Sequence, residues 1–102
     1  MDRLIENIKN NKKSILYFYS KSCRNCKRIQ PKITLLENKN KENYFAFNIY
    51  EDEKISNSFK IEYVPTLVIV ENKKITKLEG YKEIKKFYET VIDPISNTKR
   101  NL

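Results

Sequence analysis

The chain has 102 residues, of which 39% are hydrophobic, 12% aromatic and only one a glycine; this suits one compact domain with its own core, is too short for two, and excludes disordered and fibrous classes. The formal net charge of +8 comes overwhelmingly from lysines scattered among asparagines and isoleucines, so no arginine cluster marks a nucleic-acid-binding face. No apolar run approaches the roughly 18 residues that span a bilayer. The opening Met1-Asp2-Arg3-Leu4-Ile5-Glu6 has no apolar region of a secretory signal, which makes the cytoplasm the expected location, where an isolated thiol pair is more often catalytic or metal-binding than a structural staple.

Leu4, Ile5 and Ile8 fall at helical spacing and predict a short helix over residues 2–11 that covers a sheet. Ser14 to Tyr19 is a nearly unbroken apolar, aromatic run, the pattern of a central strand buried on both faces. The only two cysteines, Cys23 and Cys26, follow its end at once. From Arg24 onward Ile29, Ile33 and Leu36 make a helical apolar face running to about Asn40, with Pro31 inside it as a predicted kink. Tyr44 to Ile49 reads as a second strand with Phe45, Phe47 and Ile49 on one face, parallel to the first through a crossover. Residues 52–60 carry Ile55 and Phe59 at helical spacing. Val64-Pro65 breaks the chain ahead of a third strand, Thr66 to Val70. A turn over residues 71–74, with Asn72 available for positive φ, leads to a fourth strand, Ile75 to Glu79. After Gly80, the residues Ile84, Phe87, Tyr88, Val91 and Ile92 form the stripe of a last amphipathic helix, ended by Asp93-Pro94 and followed by a frayed tail to Leu102.

A C-x-x-C where a strand passes into a helix, a proline five residues after the second cysteine, Val64-Pro65-Thr66 opening a later strand and Gly80 before the last helix together resemble thioredoxin, over about residues 1–92. The resemblance implies an α/β thioredoxin fold: a central four-stranded mixed sheet flanked by helices on both faces. The implied strand order is second, first, third, fourth, with the last antiparallel and the first edge strand of a full-length thioredoxin missing. It also implies a thiol-disulfide oxidoreductase in which Cys23 attacks and the more buried Cys26 resolves. Pro65 is then a cis-proline facing the disulfide and Gly80 a close-approach glycine. Substrate would lie along the main chain of Val64, Pro65 and Thr66, with Gly80 also among the substrate-binding residues. No cofactor beyond the Cys23-Cys26 disulfide is implied. The implied partners are protein disulfides and a thioredoxin-reductase-type electron donor, not nucleic acid or membrane, and the chain is expected to be a monomer.

The chemistry needs this arrangement, because an exposed thiolate must attack and a second thiol must then expel the product from the mixed disulfide. A helix N-terminus favours the thiolate of Cys23, and Lys21, Arg24, Asn25, Lys27 and Arg28 are candidates for tuning it. The departures from the family are specific. Arg24-Asn25 replaces Gly-Pro, Ser22 replaces the tryptophan before the first cysteine, and Tyr19 takes the other upstream aromatic position. The buried aspartate that helps the resolving cysteine aligns with Tyr17, and its companion lysine with Ala46. The basic dipeptide is expected to make the pair more oxidising than a Gly-Pro thioredoxin.

Other readings of the cysteines remain open at this point. A zinc site needs four ligands, and the chain has no histidine and no third cysteine to supply them. A cluster shared across a dimer lacks a visible glutathione-binding pattern. A thioredoxin-fold binding module with little redox turnover, and a basic nucleic-acid-binding domain, are the alternatives to an enzyme.

Overall fold

The computed structural model describes residues 2–92. Its elements are α1 (Asp2–Lys9), β1 (Ser14–Tyr19), α2 (Arg24–Lys39), β2 (Tyr44–Asn48), α3 (Glu53–Ser58), β3 (Thr66–Glu71), β4 (Lys74–Glu79) and α4 (Tyr81–Phe87), which continues into a π-helical turn, Tyr88–Ile92. The strands form one sheet in the order β2-β1-β3-β4, the order expected. β1 and β2 are parallel, and β4 is antiparallel to β3. β3 is itself antiparallel to β1, a reversal that the sequence reading did not contain.

Alternation along β1 sorts the core into two layers, because successive side chains of a strand point to opposite faces. On one face Ile15, Tyr17 and Leu67 pack with Ile29, Ile33 and Leu36 of α2 and Ile84 of α4. On the other, Leu16, Phe18, Val68 and Val70 pack with Leu4 of α1, Phe47 of β2, and Ile55 and Phe59 of and beside α3. β1 supplies both layers, which is why its sequence shows no polar alternation. Phe45, Phe47 and Ile49 all join the second layer, as their spacing predicts.

Local chemistry explains the element ends. Asn72 and Lys73 both take positive φ, 52° and 66°, the two-residue turn whose twist matches that of the strands it joins. At the end of α2 the Asn40 side chain donates to the Leu36 carbonyl at 2.9 Å, and helix formation stops in the polar run 37–43. Pro31 lies inside α2, which runs on through it without a break. The last helix does not stay α-helical as predicted: the Thr90 hydroxyl donates to the carbonyls of Lys86 (3.0 Å) and Phe87 (3.2 Å), competing for the acceptor that α-geometry would assign to the backbone N–H of Thr90. The predicted stop at Asp93-Pro94 and the tail to Leu102 lie outside the described residues, as do the side chains of Val91 and Ile92. No helix among the described residues is long and apolar enough to cross a membrane.

Candidate active site

The register brings the predicted site residues to one end of the sheet. Phe18 of β1 pairs with Thr66 of β3, and Thr66 with Glu79 of β4, so the residues after β1, those before β3 and those after β4 are neighbours. The first of these segments holds Cys23 and Cys26, the second Val64 and Pro65, and the third Gly80.

Cys23 is the N-cap of α2, with φ −83° and ψ 114°, and Cys26 lies in the first turn. The two sulfurs are joined in a disulfide, with a Cα–Cα separation of 5.2 Å. The Cys26 backbone N–H donates to Cys23 Sγ at 3.1 Å. That N–H is one of the unpaired donors of the helix start, and an acceptor at the N-cap satisfies it. The same geometry stabilises negative charge on Cys23 Sγ when the bond is reduced, because the N–H and the helix dipole both point at it. Cys26 is buried, at 5% exposure, while Cys23 is half-buried. Approach from solvent therefore favours Cys23. An open groove beside Cys26 is lined by Tyr19, Ser20, Lys21, Lys27 and Gln30.

The Val64-Pro65 peptide bond is cis. Pro65 is buried, and its carbonyl accepts from the Gly80 N–H at 2.8 Å. Thr66 is fully buried, its hydroxyl donates to the Tyr63 carbonyl at 2.6 Å, and it is paired to Phe18 on one side and Glu79 on the other, so neither its side chain nor its main chain is open at the surface. The main chain of Val64 makes no hydrogen bond among the described residues, which leaves its N–H and C=O open at the sheet end. Gly80 has nothing among the described residues within 4 Å of where a Cβ would be added, so the described fold itself leaves room at this position. Its φ of +90° with ψ of 167° is what demands glycine, since L side chains rarely adopt that backbone conformation.

The charged residues around the cysteines do not act alike. Lys21 reaches towards Glu51, at 3.9 Å, with both side chains exposed, so part of its field is cancelled. Arg24 and Lys27 are exposed. Arg28 is held from two sides: its Nη1 donates to Asn25 Oδ1 at 3.2 Å, and its guanidinium lies 4.1 Å from the Tyr81 ring centroid. One turn on, Lys32 lies over Tyr88 at 4.8 Å. Sequence reasoning passed over Tyr81, although a cation pair four apart on α2 facing an aromatic pair seven apart on the last helix is a signal that could have pointed to it.

Tyr17 and Ala46 are register partners across β1 and β2. Tyr17 is buried, at 2% exposure, and its ring stacks on Tyr19 with centroids 5.7 Å apart. Its hydroxyl has no hydrogen-bond partner among the described residues. Burial, then the neighbouring Tyr19, pushes the Tyr17 phenol well above its ordinary value. Tyr44 is pushed up too, by burial first and then by the Glu37 carboxylate and the tyrosines at 17 and 19. A phenol held neutral in this way cannot accept a proton near neutral pH. No group of three or more metal-ligating side chains comes together among the described residues.

The family model for thioredoxin matches residues 2–93. The chain belongs to the thioredoxin family. Among solved structures it is similar to the thioredoxin of Fasciola hepatica, at 26% identity over 87% of this chain and 88% of that one, with a TM-score of 0.68. It is also similar in fold to oxidised mitochondrial thioredoxin 3 of Saccharomyces cerevisiae (24% identity, 79% and 78% coverage, TM-score 0.67). Oxidised thioredoxin O2 of Arabidopsis thaliana is a further match (22% identity, 88% and 84% coverage, TM-score 0.70). No curated protein matches the chain by sequence. With its Cys23-Cys26 pair closed at the start of α2, this thioredoxin-family protein is a thiol-disulfide oxidoreductase acting on protein disulfides.

Proposed function

We propose that the chain works as a protein disulfide reductase in which Cys23 is the nucleophile and Cys26 the resolving thiol. The observation that carries this reading is the asymmetry of the pair: Cys23 caps the helix and is the more open, while Cys26 is buried and aims its N–H at Cys23 Sγ. The reduced Cys23 thiolate attacks one sulfur of a substrate disulfide, forming a mixed disulfide and releasing the first substrate thiolate. Cys26, giving up its proton, then attacks Cys23 Sγ, closing the Cys23-Cys26 disulfide and releasing the second substrate thiolate. Two electrons pass to the substrate, and the two released thiolates take up protons from solvent or from Cys26.

Substrate main chain adds as a strand along Val64, whose N–H and C=O are open, with Pro65, Thr66 and Gly80 shaping the edge it meets. Arg24, Asn25, Lys21 and Lys27 tune the charge at Cys23. A dithiol electron donor of the thioredoxin-reductase type regenerates the pair, no bound cofactor takes part, and the protein acts as a monomer in the cytoplasm. A binding module with little turnover is the second reading, and it is favoured by the neutral Tyr17 phenol where relatives carry an acid. The role assignment is tested by trapping. Cys26→Ser with a disulfide-bearing protein is expected to accumulate a mixed disulfide through Cys23 that dithiothreitol releases, and Cys23→Ser to accumulate none. Trapping through Cys26 instead would reverse the roles.

A further inference from the structure

Residues 21–28 hold four cations, Lys21, Arg24, Lys27 and Arg28, and no acid, and all four are exposed. No acidic residue occupies the first turn of α2, so the positive end of the helix dipole adds to this field instead of being offset. Of the four, Arg28 is the one whose position is set on two sides, by Asn25 within the C-x-x-C and by Tyr81, which follows Gly80. Gly80 in turn donates to Pro65. Arg28 thus bridges the two segments between which a substrate strand would pass. A guanidinium carries five N–H donors, of which one goes to Asn25, and Arg28 is exposed. Its contacts with Asn25 and Tyr81 already restrict the side chain, so a carboxylate binding there orders little more.

From this arrangement we propose that Arg28 is a specificity residue, selecting disulfides whose flanking residues carry a carboxylate. The inference rests on the oxidoreductase reading and names its substrate class. Each exposed contact is weak and Glu51 offsets part of the Lys21 charge, but a predominantly positive field around Arg24, Lys27 and Arg28 raises the encounter rate of oppositely charged partners. An acidic peptide fits better than a polynucleotide, because the cations surround a disulfide with which a polynucleotide has no reaction.

Three synthetic peptides with one internal disulfide and Glu, Gln or Lys flanks test this, each reduced by the pre-reduced protein in stopped flow. At low ionic strength the Glu-flanked peptide is expected to react about tenfold faster than the Gln-flanked one, with the ratio falling towards one as salt is added. Arg28→Gln and Tyr81→Leu are each expected to lower that ratio about threefold, with Arg28→Lys between them and the wild type. A wild-type ratio near one overturns the proposal, as does a ratio that Arg28→Gln leaves unchanged, even if all three rates fall together. Failure to reduce even the Gln-flanked peptide overturns the oxidoreductase reading, and this inference with it.

Discussion

Replacing Tyr17 by Phe separates the packing role of its ring from the effect of its hydroxyl. The ring fills the layer between β1 and α2 and stacks on Tyr19, and Phe keeps both. The hydroxyl is buried with no partner among the described residues, and leaving such a group unsatisfied costs about 1–3 kcal/mol. The void left by one oxygen costs only a few tenths of a kcal/mol at about 24 cal/mol per Å³, so Tyr17→Phe is expected to stabilise the oxidised protein by about 1 kcal/mol or more. The alkaline limb supplies a second readout. The folded Tyr17 and Tyr44 phenols are both shifted upward from 10.0, so above about pH 10 the unfolded chain loses these protons before the folded one does. The unfolded state then binds fewer protons, and stability falls as pH rises, by up to about 1.4 kcal/mol per pH unit for each phenol. Urea unfolding of the oxidised wild type and Tyr17→Phe at neutral pH and across pH 9–11, roughly spanning the phenol range, measures both effects. Loss of stability at neutral pH in the variant would show that the hydroxyl has a partner, and an alkaline limb of unchanged slope would refute the shifted phenol.

Gly80→Ala is expected to cost about 1–3 kcal/mol, from backbone strain at φ +90° and not from a clash, as measured by urea unfolding; an unchanged midpoint would remove the conformational reason for glycine. Ile29→Ala, at a fully buried position of α2 against Ile15, Tyr17 and Leu67, is expected to lose about 2–5 kcal/mol, and a loss below about 1 kcal/mol would mean that this layer does not anchor the helix. Equilibration with glutathione buffers is expected to place the Cys23-Cys26 couple above about −270 mV, because Arg24 and the helix start stabilise the reduced thiolate; a potential at or below that value contradicts the role given to the Arg24-Asn25 dipeptide.

Much of this architecture is readable from residue patterns, because the strong patterns are also the buried ones. β1 matches its predicted bounds since Ser14 to Tyr19 is buried along nearly its whole length, and the helical face of Ile29, Ile33 and Leu36 is the buried side of α2. The direction of β3 was not legible, because an apolar run such as Thr66 to Val70 reads the same whichever way it pairs. The positive φ of Gly80 was not legible either, since a glycine in a sequence does not show which backbone conformation it takes. The clamp of Asn25 and Tyr81 on Arg28 joins residues more than fifty positions apart, and the sequence hints at it only through the matching cation pair on α2 and aromatic pair on the last helix. The replacement of acid and lysine by Tyr17 and Ala46 was visible in the sequence, but the unpartnered state of the phenol belongs to the packed core alone.

Insulin reduction by dithiothreitol, with wild type and Cys23→Ser compared at equal concentration, tests most directly whether this pair is a working redox centre. The wild type is expected to accelerate precipitation of the freed insulin chain, and Cys23→Ser to leave it at the rate of dithiothreitol alone. Equal rates for the two proteins would contradict the assignment of Cys23 as the nucleophile of a disulfide reductase.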